Sequence, residues 1–178
     1  MRRFSLILLL AAAAAPQGKP APDQAAQGTL SVCDILADPL KYNYQLVKIR
    51  GVSVGTDEGW WIGPDKPCSR PLTTGGYTWP SIIWVESVDE SRPSRGVQFR
   101  TDHNAVNKID GAVARMHIDP KLDRIWLNFT GVFETRVFTS KDIGKGRAFG
   151  FGHMNSAPAR LLLKTVTDLH VEHVAAEK

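Results

Sequence analysis

Apolar residues first form one unbroken run near the start of the chain and only later fall into short alternating segments. After the positive start Met1-Arg2-Arg3, residues 4–15 are uncharged and apolar and end in small residues. This arrangement is typical of a bacterial-type secretory signal peptide. A membrane-spanning helix needs about 20 apolar residues, and this run is too short for one. Residues 1–15 are therefore predicted to be a cleaved signal peptide rather than a membrane anchor.

A polar spacer follows at residues 16–28 and is rich in Pro, Ala, Gln and Gly. It shows no apolar periodicity and carries too little hydrophobic surface to offset the entropy of ordering, so we predict that it is disordered. The remaining pattern predicts one folded domain over residues 29–174, which is long enough to bury a core. The tail at residues 175–178 is expected to fray.

Alternating apolar and polar residues predict five strands. They are expected at residues 46–54, 60–62, 81–87, 124–138 and 160–171. Between the third and fourth strands the spacing becomes helical and predicts a helix over residues 102–118. A short N-terminal helix is predicted over residues 32–38. It ends before Pro39, because a proline cannot continue the helical hydrogen bonding.

Three strands, a helix and two further strands form the element order of an OB-like fold, a mainly β, five-stranded Greek-key barrel. A small barrel needs its long strands to bend, and a glycine or a β-bulge allows the bend. The apolar pattern of the first strand slips by one residue at Gly51, which predicts a bulge there, and Gly131 predicts a bend in the fourth strand. The residues predicted to fill the barrel are Ile49, Val52, Ile83, Val85, Leu127, Phe129, Phe133, Leu161 and Leu163, with Val106, Ile109 and Val113 closing one end.

Four segments carry a resemblance to known proteins. They are SVCDIL-x-DP-x-KY from Ser31, VKIRG from Val47, FTGVF from Phe129 and GFGHMNSAPARLLL from Gly150. Over residues 31–171 the chain resembles the small exported OB-fold-like proteins of bacteria. No activity is attached to that family, so the resemblance implies a fold and a compartment but no catalytic residue.

The net charge of the chain bears on whether it binds nucleic acid. The whole chain carries a formal net charge of +4, and removing Arg2 and Arg3 with the leader lowers it by two, to +2. Because phosphate binding needs clustered Lys and Arg, so small a net charge argues against nucleic acid as a partner.

Two cysteines, Cys33 and Cys68, are expected to form a disulfide, because an exported protein with an even cysteine count usually pairs them. The bond would close a loop of about 36 residues and stabilise the fold by about 3–4 kcal/mol. Two free thiols are the alternative. No CxxC or HxxxH spacing accompanies the cysteines, so no metal site is predicted.

Catalytic signatures are absent from the sequence. None of the histidines is spaced from a carboxylate as the ligands of a metal site are. They are His103, His117, His153, His170 and His173. There is also no GxSxG pattern. We therefore predict no catalytic residue and no cofactor.

Aromatic residues cluster in and before the second and third strands: Trp60, Trp61, Tyr77, Trp79 and Trp84. In OB-folds this face is the usual ligand platform. Adjacent residues of a strand point to opposite faces, so Trp60 and Trp61 cannot both lie in the core. At least two of the four tryptophans are expected to be partly exposed, on the same side as residues 150–153. The alternative is that half of the aromatic residues fill the barrel.

A glycine-rich loop at residues 144–153 (GKGRAFGFGH) is the second candidate for ligand binding. It precedes the last strand, where the loop of an OB-fold flanks the binding face. Its candidate contacts are Arg147, Phe149, Phe151 and His153. The alternative is a flexible hairpin in which Phe149 or Phe151 plugs one end of the barrel.

These features predict an exported, periplasmic or secreted, non-enzymatic binding module. Its ligand is expected to be a glycan, a peptide or an envelope protein, held on the aromatic face. After cleavage of the signal peptide we expect no stable insertion into the membrane. The alternatives are binding of single-stranded nucleic acid and a hydrolase that uses His153 with a nearby carboxylate.

Overall fold

The computed structural model describes residues 28–89, 97–119, 121–136 and 150–174. The predicted signal peptide, the spacer as far as residue 27 and the tail at residues 175–178 lie outside these ranges. Within them, no helix has both the length and the apolar character needed to cross a membrane.

The described chain contains eight strands and three α-helices. In chain order they are β1 (Leu30–Ser31), α1 (Val32–Ala37), α2 (Pro39–Tyr42), β2 (Leu46–Thr56), β3 (Gly59–Gly63), β4 (Thr73–Thr74), β5 (Tyr77–Thr78), β6 (Ile83–Ser87), α3 (His103–Ala114), β7 (Asp123–Thr135) and β8 (Ala159–His173). Five of the strands close into a barrel in the order β2–β3–β6–β8–β7, with β7 pairing back onto β2. The pairing of β6 with β8 is parallel, and the other barrel pairings are antiparallel. The predicted OB-like barrel is confirmed, with α3 between its third and fourth strands.

Four short elements were not predicted: β1, α2, β4 and β5. Pro39 ends the first helix as expected, but it also begins α2, because proline is well tolerated at the first position of a helix. The hairpin of β4 and β5 lies in a stretch whose glycines and prolines predicted an irregular loop. The long helix is shorter than predicted and ends at Ala114.

The barrel interior contains the residues predicted for it, with one exception. Ile49, Ile83, Val85, Leu127, Phe129, Phe133, Leu161 and Leu163 are all buried. Val52 is only half-buried because it lies on the outer face of β2. Val106, Ile109 and Val113 of α3 are also half-buried, so the helix covers its end of the barrel incompletely.

The predicted bulge at Gly51 is wrong. Pairing of β2 with β7 runs without a register shift from Leu46 to Val52. Gly51 instead lies on the interior face, where an added Cβ would approach Ile62 Cγ2 to within 2.3 Å. Close packing, rather than a bulge, therefore explains this glycine, and β2 keeps one alternating phase throughout.

An irregularity at Gly131 is confirmed. The register between β7 and β8 shifts between Thr130 and Gly131, and again between Trp126 and Asn128. In both places the extra residue belongs to β8. Shifts of this kind increase local twist and help a long two-stranded ribbon to close into a small barrel.

The disulfide between Cys33 and Cys68 is present. Its Cα atoms are 5.4 Å apart, and the two cysteines are 35 positions apart in the sequence. The bond joins α1 to the long segment between β3 and β4. Ser31 caps α1 with a capping box, in which its hydroxyl accepts from the Asp34 backbone N–H and Asp34 accepts from the Ser31 backbone N–H.

Candidate functional site

One row of side chains crosses the outside of the barrel from strand to strand. Cross-strand pairing places Val54 opposite Trp61, Trp61 opposite Trp84, Trp84 opposite Arg160, and Arg160 opposite Glu134. Their chain neighbours on the other face, such as Ile62 and Ile83, are buried in the barrel. Alternation along each strand therefore turns this row outward.

Trp61 and Trp84 form the aromatic centre of the row. Their rings stack with centroids 5.6 Å apart and planes inclined by 20°, and both side chains are half-buried. Gly59 and Gly152 pack so closely on the Trp84 ring that a Cβ on either would lie 1.9 Å or 2.2 Å from one of its carbons. Trp84 is thereby held in place, and the stacked pair is a preorganised apolar surface.

Two polar residues adjoin the glycines that pack on Trp84, since Glu58 precedes Gly59 and His153 follows Gly152. Glu58 belongs to the turn between β2 and β3, and His153 begins a single 3₁₀ turn at His153–Asn155. Glu58 Oε1 and His153 Nε2 are 3.7 Å apart, and the side chains are 59% and 49% exposed. We call the surface formed by Glu58, Trp61, Trp84, Gly152 and His153 the Trp61–Trp84 face.

Arg160 lies next to Trp84 in the row but is already engaged. It donates to Glu86 at 2.8 Å and to Glu134 at 2.6 Å. Burial disfavours its charge, but the hydrogen bonds to Glu134 and Glu86 outweigh burial and raise the pKa of the guanidinium above its ordinary value. The permanently charged Arg160 is thus neutralised by two carboxylates and has little capacity left for an anionic ligand.

The loop that carries His153 has an unusual backbone. Gly152, Met154 and Asn155 all have positive φ values, of 73°, 51° and 53°. The Met154 side chain is 69% exposed. Positive φ is unfavourable for a residue such as Met, and such conformations persist where neighbouring structure imposes them, often at binding sites.

The predicted aromatic residues divide among three environments. Trp60 and Trp61 face opposite ways, as expected: Trp60 points inward, donates to Ser53 Oγ at 2.7 Å and meets Phe129 edge-on at 5.3 Å. Trp79 is only 2% exposed and donates to Thr74 Oγ1, with Tyr77 packed against its ring. Neither Trp60 nor Trp79 therefore adds surface to the Trp61–Trp84 face.

The loop residues predicted for binding also separate. Phe151 is buried, and the guanidinium carbons of Arg136 and Arg160 lie 4.2 Å and 5.1 Å from its ring centroid. Phe151 therefore packs beside the outward-facing Arg160 and is not part of the barrel core, so it does not take the position of a plug at the end of the barrel. His153 reaches the Trp61–Trp84 face, whereas Arg147 and Phe149 lie outside the described residues.

Glu58 and Gly152 are the members of the face that sequence reasoning missed. Glu58 is in an Asp-Glu turn, where acidic residues are common, so nothing local distinguishes it. Gly152 is one of several glycines in its loop, and only the structure reveals the positive φ and the close Trp84 ring that account for its lack of a side chain.

Gly152→Ala is expected to destabilise the fold by about 2–4 kcal/mol, because it combines backbone strain with a clash against Trp84. Gly76→Ala is the matched control. Gly76 has φ +77, close to the +73 of Gly152, but a Cβ there meets nothing within 4 Å. Urea unfolding of both variants should show a clearly larger loss for Gly152→Ala. Equal losses would mean that the glycine is required by φ alone.

No protein-family model, curated protein or solved structure matches the chain. In the ranges that the structure describes, no three His, Cys, Asp or Glu side chains are grouped as metal ligands would be. The candidate binding surface of the described chain is the stacked indole pair of β3 and β6, with a carboxylate and an imidazole from two neighbouring loops. Such a surface can stack on a flat ligand and hydrogen-bond to its edge.

Proposed function

We propose that this protein is an exported, non-enzymatic binding module that holds a glycan on its Trp61–Trp84 face. The observation that carries the proposal is the stacked, half-exposed indole pair at the point where two loops meet. In OB-folds, oligosaccharides and oligonucleotides bind to the second and third strands and to the loops after the first and fourth. Trp61 and Trp84 occupy those strands, and Glu58 and His153 belong to those loops.

The chemistry of the face favours a sugar. The apolar C–H face of a pyranose packs on a flat indole, while its hydroxyl groups need hydrogen-bonding partners at the ring edge. Glu58 offers acceptors, and His153 offers a donor or an acceptor according to its tautomer. Because both side chains are about half exposed, they can reach hydroxyl groups without first breaking a buried contact.

The charges near the face argue against single-stranded nucleic acid. Glu58 lies at its edge, and the nearby Arg160 is paired with Glu86 and Glu134. A phosphate backbone placed there would meet a carboxylate and no unpaired described cation of the row, whereas nucleic-acid sites need clustered positive charge.

The pairing of His153 with Glu58 is the one feature that favours the hydrolase alternative, since acid–base catalysis uses such pairs. However, both groups are largely in water, and catalytic electrostatics depend on a preorganised site from which water is excluded. We therefore assign the pair to hydrogen bonding of the ligand.

Export is supported by two independent features. The first residues have the signal-peptide pattern, and the described chain contains a disulfide, a bond typical of oxidising compartments.

Trp61→Ala is expected to weaken glycan binding by about tenfold or more, because it removes one of two stacking rings. The oxidised protein would first be screened on an array of bacterial envelope glycans, and the best oligosaccharide titrated by calorimetry. Trp126→Ala is the matched control: this outward tryptophan contacts Arg50 and donates to Glu172 away from the face, so its loss should leave the affinity unchanged.

The dependence of affinity on salt concentration distinguishes glycan binding from nucleic-acid binding. Glycan affinity should hardly change between about 50 and 200 mM salt, whereas binding through several phosphates would fall by a factor of about a thousand or more. A steep salt dependence, equal losses in both tryptophan variants, or cleavage of the oligosaccharide during titration would contradict the proposal.

A further inference from the structure

A groove lies on the side of β3 opposite the Trp61–Trp84 face, between α3 and the barrel. Its volume is about 250 Å³. One wall is formed by the helix residues Val106, Ile109 and Val113 and the other by Trp60, Ile125 and Leu127. At the N-terminal end of α3, the Asp102 backbone N–H donates to the Lys164 carbonyl at 2.7 Å, and Ala105, Val106 and Ile109 pack against the barrel core.

One charged side chain, Asp110, lines this apolar groove. It follows Ile109 directly and lies on the helix between Val106 and Val113, where a leucine would extend the apolar stripe. Among the described residues, no hydrogen bond or ion pair engages its carboxylate. The helix positions one turn away are Val106, Asn107, Val113 and Ala114, none of which carries a charge.

The other polar group of the groove is already engaged. Ser53 accepts the indole N–H of Trp60 at 2.7 Å, which fixes the orientation of the ring. The edge-on contact with Phe129 supports the same ring from within the barrel. The groove therefore combines a rigid aromatic wall, an aliphatic wall and one carboxylate without a partner in the described chain.

We propose that this groove binds a small aromatic primary amine, with its ring among Trp60, Ile109 and Leu127 and its ammonium group at Asp110. The size is suitable: a cavity of about 150 Å³ in another protein holds benzene, so about 250 Å³ accepts one ring with a short chain. The charge selects the class of ligand, because an ammonium group forms a charge-assisted hydrogen bond with Asp110 whereas a carboxylate is repelled. An indole wall adds an attractive interaction with the cation.

The test uses three probes of nearly equal shape: phenethylamine, phenethyl alcohol and phenylacetate. Each is titrated into the oxidised protein by calorimetry. In parallel, the indole N–H signal of Trp60 is followed by NMR and assigned from its loss in Trp60→Phe. Phenethylamine should shift this signal and bind more tightly than the alcohol, and phenylacetate should bind most weakly.

Asp110→Asn is the decisive variant, since it keeps the shape and removes the charge. We expect it to weaken phenethylamine by about tenfold and to leave the alcohol unchanged. Asp38→Asn is the matched control, because Asp38 is an exposed aspartate whose side chain caps no helix, and its loss should change nothing. Val113→Phe should fill the groove and weaken the amine and the alcohol together.

Three results would overturn the proposal. They are the absence of a Trp60 shift with the amine, equal amine affinity in Asp110→Asn and the unchanged protein, and equal losses in Asp110→Asn and Asp38→Asn. If Val113→Phe fails to fold, the two aspartate variants still decide the matter. Trp61→Ala should leave amine binding intact, so the groove and the glycan face are tested independently.

Discussion

Phe129→Ala is expected to lower the free energy of unfolding by about 3–5 kcal/mol. The side chain is fully buried and lies in the middle of β7, opposite Ile49 of β2 and Val166 of β8. Removing the ring leaves a cavity that three hydrogen-bonded strands cannot collapse to fill. It also removes the edge-on contact that supports Trp60. Urea unfolding with the disulfide intact measures the loss.

Phe99→Ala is the control for this prediction. Phe99 is half-buried, and the Lys164 ammonium lies 5.9 Å from its ring centroid. Because less apolar surface returns to water, its truncation should cost about 1–2 kcal/mol. If Phe129→Ala costs no more than Phe99→Ala, then Phe129 does not occupy the centre of a packed barrel.

Breaking the bond between Cys33 and Cys68 is expected to lower the free energy of unfolding by about 3–4 kcal/mol. The bond links cysteines 35 positions apart in the sequence and closes a loop that includes β2 and β3, so its loss increases the freedom of the unfolded chain. Replacing both cysteines with alanine and reducing the unchanged protein should give the same loss. The comparison is made by urea unfolding with and without dithiothreitol.

The double alanine variant is its own control, because dithiothreitol should have no further effect on it. The variant should also show a steeper dependence on urea, since its unfolded chain exposes more surface than the cross-linked one. A loss below about 1 kcal/mol would mean that the N-terminal helix is held by packing alone. Val32, Ile35 and Leu36, which are buried in α1, would then account for its attachment.

The candidate site was only partly predictable. Alternation along a strand was enough to separate Trp60 from Trp61, because consecutive side chains must point to opposite faces. It could not tell which of the two faces inward. That depends on pairing: Trp60 lies opposite the buried Val85, whereas Trp61 lies opposite Trp84. The nearness of Glu58 to His153 was equally hidden, since the two are far apart in the chain.

Gly51 shows how a local pattern can mislead. Valines at positions 52 and 54 suggested that the inward phase of β2 had slipped, yet these valines face outward and the register continues. Apolar character marks the core only on average, and a strand beside an aromatic surface can carry valine on its outer face. The glycine itself is explained by Ile62, a residue on the neighbouring strand.

The sequence by itself determined the order of the five barrel strands and the long helix, the closed OB-like barrel, most of its core and the disulfide pair. Hydrophobic periodicity and breaker residues act locally, and two cysteines allow only one pairing. Only the tertiary structure decided that Trp61 and Trp84 stack, that Gly152 packs on Trp84 and that Asp110 lines a groove beside Trp60. These contacts join residues that are distant in the chain. They follow from strand register and helix placement, which are set by the packing of the whole barrel rather than by any one segment.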